Sequence, residues 1–314
     1  MFEYYLTHKH YHTLDYYFKN KYGKKVFKIS LNASFTCPNR DGTKGYGGCL
    51  FCSEEGSGDF AGNPKDSIQT QFEKIKNRME KKWPDAYYIV YFQAYSNTYG
   101  SIERLKEVFE PFIGQDNVIG LSIATRCDCI HEEIARYLFS LKSHFKEFWI
   151  ELGLQTTKRS TMKLLNLKYT FTDFKKAVKL LHHYHIDIVV HIIDGLPYES
   201  KEDQIQTILK LNLLPIQGIK IHNLNILKNT ALATMYLNNQ FKILNEQEFI
   251  EIVSLQLAYL KENILVHRIG ADSDEKKRIA PDYVKKKMAV VDHLDLYMEE
   301  VNLFQGDFVQ QNRK

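Results

Sequence analysis

The sequence predicts an α/β protein built on a parallel sheet. Short segments rich in β-branched and aromatic residues alternate with amphipathic, helix-like segments along most of the 314-residue chain. Apolar strands separated by helices are typical of βαβ units, whose strands run parallel. No repeat of fixed period and no low-complexity tract interrupts this alternation.

Six strand–helix units follow one another. The strands are predicted at residues 26–31, 87–93, 118–124, 147–154, 186–194 and 216–224. The helices are predicted at residues 66–82, 102–112, 131–141, 158–183 (two helices), 201–211 and 230–238. Beyond Asn239 the alternation weakens, and the sequence predicts a helix at 246–262, a strand at 264–269 and a terminal helix at 282–301. Six units can form a doubly wound sheet or an incomplete barrel. In either case functional groups gather at the C-terminal ends of the strands.

The composition indicates a soluble globular protein. The chain is 44% hydrophobic and 25% charged, with a formal net charge of +4 and a sequence pI of about 8.5, which is an ordinary balance for a folded domain. Its longest apolar stretches, such as 118–124 and 186–193, are too short to span a bilayer. The N-terminus carries an early acid and no apolar segment of the secretory type. We therefore expect a cytoplasmic location without membrane contact.

Positive charge is concentrated in runs. Between His8 and Lys28 the chain carries nine lysine or histidine side chains against one acid, Asp15, and interleaves them with tyrosines. Shorter runs lie at 276–278 and 285–287. Such runs form either a solvated face or a surface for phosphate backbones. The tyrosines suit stacking on bases or packing of a helix against the protein body, and the sequence leaves both open.

Three of the five cysteines, Cys37, Cys49 and Cys52, lie in one glycine-rich loop directly after the first predicted strand. Their spacing is C-x11-C-x2-C. Three thiolates on one loop can hold three corners of a cubane iron–sulfur cluster and leave the fourth iron open to a small molecule. Glycines at 42, 45, 47 and 48 allow a close backbone approach and positive φ angles.

The residues alone leave other interpretations of this loop open. A zinc site would need a fourth ligand from Cys127 or a histidine, because the loop contains a single C-x2-C pair. If the three cysteines only packed as small apolar residues, their occurrence in one glycine-rich loop would be a coincidence. A phosphate-binding loop is disfavoured, because no Gly-Lys-Ser/Thr follows the glycines.

The cysteine loop and its continuation through Gly62 resemble the radical S-adenosylmethionine (SAM) family of YhcC- and YtqA-type bacterial proteins, a family related to the radical SAM domain of the elongator catalytic subunit. The resemblance runs nearly end to end through the segments 91–99, 124–126, 151–156, 191–197 and 266–269, with Ala280-Pro281. It includes the long first gap between cysteines, since the commoner spacing in the superfamily is C-x3-C-x2-C. One local departure is Cys127, which stands where the family carries proline.

The resemblance implies an architecture and two cofactors. It implies a partial (β/α)6 TIM-like barrel over residues 26–238, after a basic, aromatic and helical N-terminal extension (1–25) and before a C-terminal extension (239–314) that packs on the barrel. It implies a [4Fe-4S] cluster held by Cys37, Cys49 and Cys52, and SAM bound to the open iron through its amino and carboxylate groups.

The resemblance also implies SAM contacts near the strand ends, from Phe51, Gln93, Ser96, Asn97, Arg126, Glu151, Gln155 and Asp194. Phe51 matches an apolar position near the adenine, and Arg126 is expected to pair with the SAM carboxylate. Glu151 and Gln155 are expected at the end of the fourth strand, against the ribose or the methionine part, and Asp194 at the end of the fifth. Structural hydrogen bonding at loop ends is the alternative for Gln155, Arg126 and Asp194, and a surface rim carboxylate is the alternative for Glu151.

Two further cysteines follow the third predicted strand. In an extended backbone Cys127 and Cys129 would face the same side. Cys129 is a candidate catalytic residue, as a hydrogen-atom donor or ligand, although packing as small hydrophobic residues is the ordinary interpretation of both. His191, inside an apolar strand, is typical of a core histidine.

Kinship with the elongator subunit implies a substrate and partners. The implied substrate is the anticodon region of tRNA, where the carboxymethylaminomethyl side chain of a wobble uridine would be converted to aminomethyl. A reductant such as flavodoxin or ferredoxin is implied as well. Two alternatives stay open: a radical SAM oxidoreductase acting on a small metabolite or cofactor precursor, and a non-enzymatic iron–sulfur or zinc-binding module.

Overall fold

The computed structural model describes residues 9–56 and 58–310. The strands are β1 (Val26–Leu31), β2 (Tyr87–Phe92), β3 (Val118–Arg126), β4 (Glu147–Gln155), β5 (Asp187–Asp194), β6 (Gly218–Asn223), β7 (Ile226–Leu227), β8 (Leu265–Ile269) and β9 (Arg278–Ala280). The helices are α1 (Leu14–Tyr22), α2 (Ile68–Glu80), α3 (Ile102–Phe109), α4 (Glu132–Lys142), α5 (Arg159–Leu164), α6 (Phe171–His183), α7 (Lys201–Leu211), α8 (Ala231–Leu237), α9 (Glu246–Tyr259), α10 (Lys287–Glu300) and α11 (Asp307–Gln310). A search of these described residues finds no helix with the length and apolar character that a membrane crossing requires.

Seven of the strands form one parallel sheet in the order β1-β2-β3-β4-β5-β6-β8. The sheet is curled into part of a barrel. In a flat sheet β1 and β6 would lie about 24 Å apart, at roughly 4.8 Å per strand. Instead, Glu151 on β4 bonds both Lys28 on β1 and Lys220 on β6. The predicted α/β fold and partial barrel are therefore confirmed, and the doubly wound alternative is wrong.

The seventh strand of the sheet comes from the segment that the sequence assigned to a C-terminal extension. β8 pairs with β6, and the Val266 amide also bonds the His12 carbonyl oxygen at 2.8 Å. The segment after residue 239 thus contributes to the sheet itself. The division at residue 238 stays a prediction.

The two faces of the sheet differ in chemistry. On the outer face, side chains such as Leu31, Phe92 and Leu121 are fully buried in the main core beneath the helices. On the inner face, the alternate positions of the same strands carry polar groups, including Lys28, Glu151 and Lys220. The alternation follows the period of two along a strand. Both faces of the middle strands are therefore buried, but the inner face is polar.

The helices begin where the sequence supplies N-terminal caps. Thr170, Ser200 and Asn245 each form a capping box before α6, α7 and α9. In each box the cap side chain accepts from a backbone N–H of the first turn, and an acid three residues later bonds back to the cap. These reciprocal bonds fix where the crossover helices start beside the strands.

Helix α1 closes the N-terminal end of the barrel. Phe18 packs in a separate inner core with Val26, Ile89, Ile119, Trp149 and Val189. The hydroxyls of Tyr17 and Tyr22 both donate to the Glu147 carboxylate, at 3.1 and 2.6 Å. The Lys21 amine lies 2.7 Å from the same carboxylate. For these two tyrosines the packing alternative is therefore correct. Tyr4 and Tyr5 lie outside the described residues.

The inner core can be tested through Phe18, which is 4% exposed. Phe18→Ala is expected to lower the free energy of unfolding by about 3–5 kcal/mol, because it leaves a cavity beneath the barrel. Urea unfolding measures the loss. The matched control is Phe139→Ala on α4, whose ring is 48% exposed; it should cost no more than about 1 kcal/mol. Similar losses in both variants would contradict the packing of α1.

Candidate functional site

A cavity of about 450 Å³ lies at the C-terminal end of the barrel strands. Cys37, Cys49 and Cys52 all line it, together with inner-face residues of the strands from β1 to β8, and all three are free thiols. The structure therefore brings the three predicted cluster ligands to one wall of a single cavity.

The cysteine loop is fixed by glycine conformations and by amide bonds to a neighbouring loop. Gly47 and Gly48 have φ angles of +76° and +79°, a region that glycine adopts without strain. Asn39 Nδ2 donates to the Asn166 carbonyl oxygen at 2.7 Å, and Asn166 Nδ2 donates to the Gly48 carbonyl oxygen at 2.8 Å. This reciprocal pair holds the backbone immediately before Cys49.

Arg40 fixes the other end of the loop. Its guanidinium donates to the carbonyl oxygens of Cys52, Ser53 and Glu54, at 3.3 Å for Cys52 and 3.1 Å for Glu54. The same guanidinium lies 5.4 Å from the centre of the Tyr95 ring. Because five donors project from one planar group, a single arginine can gather several carbonyls of a turn.

Cys49 sits in an environment suited to an anionic cluster. Burial raises the pKa of its free thiol to about 12, with a further increase from Cys52, while Arg126 acts in the opposite direction. Asn39 Nδ2 lies 3.6 Å and Arg126 Nη1 4.0 Å from its sulfur. Hydrogen-bond donors and positive charge beside a cluster sulfur stabilise the bound thiolate and adjust its potential.

The donor set of the loop fits a cubane, in which each thiolate binds its own iron and the thiolates need not converge on one point. Within residues 9–56 and 58–310, no three His, Cys, Asp or Glu side chains are arranged to hold a single metal ion.

Six of the eight predicted SAM contacts line the cavity: Phe51, Gln93, Ser96, Arg126, Glu151 and Gln155. Arg126 is already engaged, since Nε and Nη2 each lie 2.9 Å from an oxygen of Asp128 and Nη2 also donates to the Leu167 carbonyl oxygen. Gln155 has a φ of +70°, at the end of β4. Whether these side chains contact SAM stays a prediction.

Asn97 and Asp194 are not among the described residues that line the cavity. Asn97 Nδ2 donates to the carbonyl oxygens of Phe92 and Ala124, at 3.2 and 2.8 Å, and so joins the ends of β2 and β3. Asp194 accepts from Gln256 of α9 at 2.8 Å, and burial raises its pKa to about 8. Both side chains therefore make structural contacts, and a contact with SAM stays a prediction for them.

Cys127 and Cys129 lie in a short 3-10 helix, so the expectation that they face one side of an extended segment is wrong. Cys127 is part of the main core. Cys129 is 5% exposed and is not among the described residues around the cavity, and its carbonyl oxygen accepts from Thr98 Oγ1 at 2.8 Å. A catalytic role for Cys129 stays a prediction.

The floor of the cavity is a buried charge cluster centred on Glu151. This residue lies in the middle of β4, so the expectation that it lies at the end of the fourth strand is wrong. Its carboxylate accepts from Lys28 and His191 at 2.7 Å and from Ser122 at 2.6 Å, and it pairs with Lys220. Burial opposes its ionisation, but the charges of Lys220 and Lys28 hold the pKa of this carboxyl well below its usual range.

The partners of Glu151 differ in protonation. Burial lowers the pKa of His191 to about 4, so its neutral ring donates from Nε2. Burial also lowers the pKa of Lys220 to about 7, against the pull of Glu151. The Lys220 amine lies 3.2 Å from the hydroxyl of Tyr91. Because His191 lines the cavity and bonds Glu151, it is not an ordinary core histidine.

Sequence reasoning missed several residues of the cavity floor: Lys28, Tyr91, Ser122, Lys220, His222 and Arg268. Lys28 was grouped with the surface lysines. The missed signal is a polar side chain at every second position of an otherwise apolar strand, which marks an inner face. Lys28 and Ser30 show this pattern in β1, as do Lys220 and His222 in β6.

Two family descriptions match the chain: the radical SAM superfamily over residues 34–211 and the radical SAM C-terminal domain over residues 216–300. YtqA of Bacillus subtilis (strain 168) is 41% identical over 98% of this chain and 96% of its own length. YhcC of Escherichia coli (strain K12) is 29% identical over 89% of each chain.

The chain is also similar, more distantly, to two proteins of Methanocaldococcus infernus. A tRNA uridine(34) acetyltransferase of Methanocaldococcus infernus is 24% identical over 55% of this chain and 32% of its own length. The solved structure of archaeal Methanocaldococcus infernus Elp3 has a TM-score of 0.67 at 17% identity, covering 90% of this chain and 64% of that one. The second similarity concerns the fold alone.

Glu151 and Asp15 each bind two lysines, but only Glu151 is buried, so removal of its charge is expected to cost more stability. Glu151→Gln should lower the free energy of unfolding by about 3–5 kcal/mol, because it leaves buried cations without a counter-charge. Asp15→Asn, the control, removes an acid that is 47% exposed and lies 2.8 and 2.6 Å from Lys19 and Lys25. It should cost no more than about 1 kcal/mol.

The effect of Glu151→Gln should also depend on pH. The lowered pKa of Glu151 means that its contribution to stability is complete above the ordinary carboxyl pKa and declines as pH falls toward the lowered value. Urea unfolding of wild type and both variants at several pH values measures this. A pH-independent difference would show that Glu151 is not ionised in the folded protein.

Proposed function

This chain belongs to the radical SAM superfamily, and on that premise we propose that it modifies the side chain of a tRNA wobble uridine, converting carboxymethylaminomethyl to aminomethyl. Enzymes of the superfamily use a [4Fe-4S] cluster and SAM and need a reductant, and these requirements hold for this enzyme. Flavodoxin or ferredoxin is the reductant we propose.

Cys37, Cys49 and Cys52 would hold the cluster, because they are free thiols on one wall of the cavity. When bound, the cluster would supply the electron for cleavage of SAM to a 5′-deoxyadenosyl radical, the species that would remove a hydrogen atom from the substrate. The protein's own contribution is to bind, orient and exclude water. Asn39 and Arg126 favour the Cys49 thiolate, and Phe51, Gln93, Ser96 and Gln155 are proposed to contact SAM.

One observation carries the tRNA proposal: a relative that matches 55% of this chain bears the name of a tRNA uridine(34) acetyltransferase. Position 34 of a tRNA is the wobble position. The fold likeness to Elp3 agrees with this proposal and adds nothing on the substrate.

The mouth of the cavity offers a surface for an unstacked base. Phe60 lines the cavity and its ring is 56% exposed. Exposed aromatic rings beside a reactive cavity are the usual means of holding a base that has left its stack. We propose that Phe60 stacks on the wobble uridine or on its neighbour.

The cofactor assignment is tested by anaerobic reconstitution with iron and sulfide, followed by dithionite and SAM. Wild type should bind the cluster and form 5′-deoxyadenosine, whereas Cys49→Ala should lose both. Cys127→Ala is the control, because it makes the same substitution at a cysteine that lies in the core and is not among the described residues lining the cavity. Iron, sulfide and 5′-deoxyadenosine are measured for each protein. Loss of the cluster in Cys127→Ala, or its retention in Cys49→Ala, would contradict the assignment.

The substrate is tested with tRNA that carries the carboxymethylaminomethyl group. Nucleoside mass spectrometry should show conversion to aminomethyl by wild type and none by Cys49→Ala. Formation of 5′-deoxyadenosine without any change in the tRNA would retain the radical SAM enzyme and refute the proposed substrate.

Phe60→Ala tests base stacking at the mouth. It should raise the KM for tRNA about tenfold, since a stacked base contributes about 1–3 kcal/mol. Its formation of 5′-deoxyadenosine without tRNA should stay at the wild-type level. Phe139→Ala, which removes an exposed ring on α4, should leave both values unchanged. An unchanged KM in Phe60→Ala would refute the stacking role.

A further inference from the structure

We propose that the side-chain amine of Lys220 is the base that removes a proton from the substrate's secondary ammonium group. The inference rests on the proposed function, because that function supplies a substrate nitrogen next to the carbon that loses a hydrogen atom. The step is a proton transfer alone: an N–H bond of the ammonium breaks, an N–H bond forms on Lys220, and the electron pair stays on the substrate nitrogen.

The position of Lys220 suits this role. The residue lies on the inner face of β6, is 5% exposed and lines the same cavity as the three cysteines. Its amine pairs with the Glu151 carboxylate and lies 3.2 Å from the Tyr91 hydroxyl. Nearby, Nε2 of His222 is buried in the cavity wall and has no hydrogen-bond partner within the described residues. The floor therefore holds a positioned amine and a buried polar atom that the described residues leave without a hydrogen bond.

The charge balance of the floor determines which lysine can be neutral. Two lysines, Lys28 and Lys220, contact the single carboxylate of Glu151, so one cation is enough to compensate it. Lys28 is the better-hydrated cation, since its side chain is 18% exposed against 6% for Lys220. Both amines also lie over aromatic rings, Lys28 at 4.9 and 5.1 Å from two ring centres and Lys220 at 4.4 Å from one. Lys220 is therefore the lysine that gives up its proton, in agreement with its lowered pKa.

The proposed chemistry needs such a base. A carbon radical next to a nitrogen is stabilised by the nitrogen lone pair, which an ammonium group lacks. The substrate amine must therefore lose its proton before or during removal of the hydrogen atom. After the transfer, the protonated Lys220 lies beside Glu151 and can face the carboxylate of the substrate side chain. Both neighbours stabilise the cation it has become.

The pH dependence follows from the groups that face Lys220. Burial and the charge of Lys28 lower its pKa, and Glu151 raises it. The titratable and charged side chains around it, from the strands packed against the site, are Lys28, Tyr91, Glu151, His191, His222, His267 and Arg268. Because the neutral amine is the active form, product formation should fall as pH drops below about 7.

The test compares Lys220→Met with Lys28→Met, since both lysines bind Glu151 and either variant leaves a one-to-one ion pair. Lys220→Met should retain its cluster and its tRNA-independent formation of 5′-deoxyadenosine but lose conversion of the tRNA by roughly 10²–10⁴-fold, the usual contribution of a general base. Lys28→Met should convert the tRNA only at higher pH than wild type does, because a charge that lowers the pKa of Lys220 is gone and Lys220 becomes the single cation that compensates Glu151.

Two results would overturn the proposal: conversion at the wild-type rate by Lys220→Met, or a wild-type profile without an acid limb. The ionisation of Lys220 is measured separately, by lysine side-chain ¹⁵N NMR on the reconstituted enzyme without tRNA. A midpoint near 7 supports the proposal. An amine that stays protonated well above neutral pH refutes it. If wild type fails to convert tRNA, the proposed function falls, and the NMR titration still decides whether Lys220 can act as a base.

Discussion

The carboxylate of Glu151 is the contact on which the arrangement of the barrel interior depends. It stands on β4 and binds Lys28 on β1, Ser122 on β3, His191 on β5 and Lys220 on β6. A buried carboxylate must be compensated where it lies, because moving it away from its partners would expose the full cost of its desolvation. This requirement favours the curled sheet, since only a curl brings β1 and β6 within reach of one side chain on β4.

The charge cluster separates an apolar core at the N-terminal end of the barrel from the cavity at the C-terminal end. Below it, Phe18 and Trp149 fill the barrel with apolar volume, and α1 covers that end. Above it, the cysteine loop closes part of the C-terminal end and leaves a cavity between loop and floor. Reactive groups held in such a cavity are partly withdrawn from water, which strengthens electrostatic interactions there. The placement of the site thus follows from the layering of polar and apolar side chains along each strand.

The sequence predicted the repeating part of the structure well and the non-repeating part poorly. Hydrophobic period and spacing located six strands and most helices, and the spacing of Cys37, Cys49 and Cys52 located one wall of the cavity. Other features depend on contacts between distant segments. Residue type does not distinguish Lys28, which enters the barrel, from Lys25, which lies outside and pairs with Asp15; only the alternation of Lys28 and Ser30 within β1 does. Likewise, β8 becomes a barrel strand through its pairing with β6, which local pattern does not encode.

Arg126 shows how such contacts change the meaning of a correctly located residue. It lies in the cavity as the sequence predicted, but both oxygens of Asp128 and the Leu167 carbonyl oxygen occupy its Nε and Nη2. The nitrogen that remains, Nη1, is 4.0 Å from the Cys49 sulfur. A guanidinium whose fork is filled by one carboxylate has less capacity for a second, whereas its charge still acts on a neighbouring thiolate. The Asp128 pair thus leaves the Arg126 charge beside the Cys49 sulfur, and the contact of Arg126 with the SAM carboxylate stays a prediction.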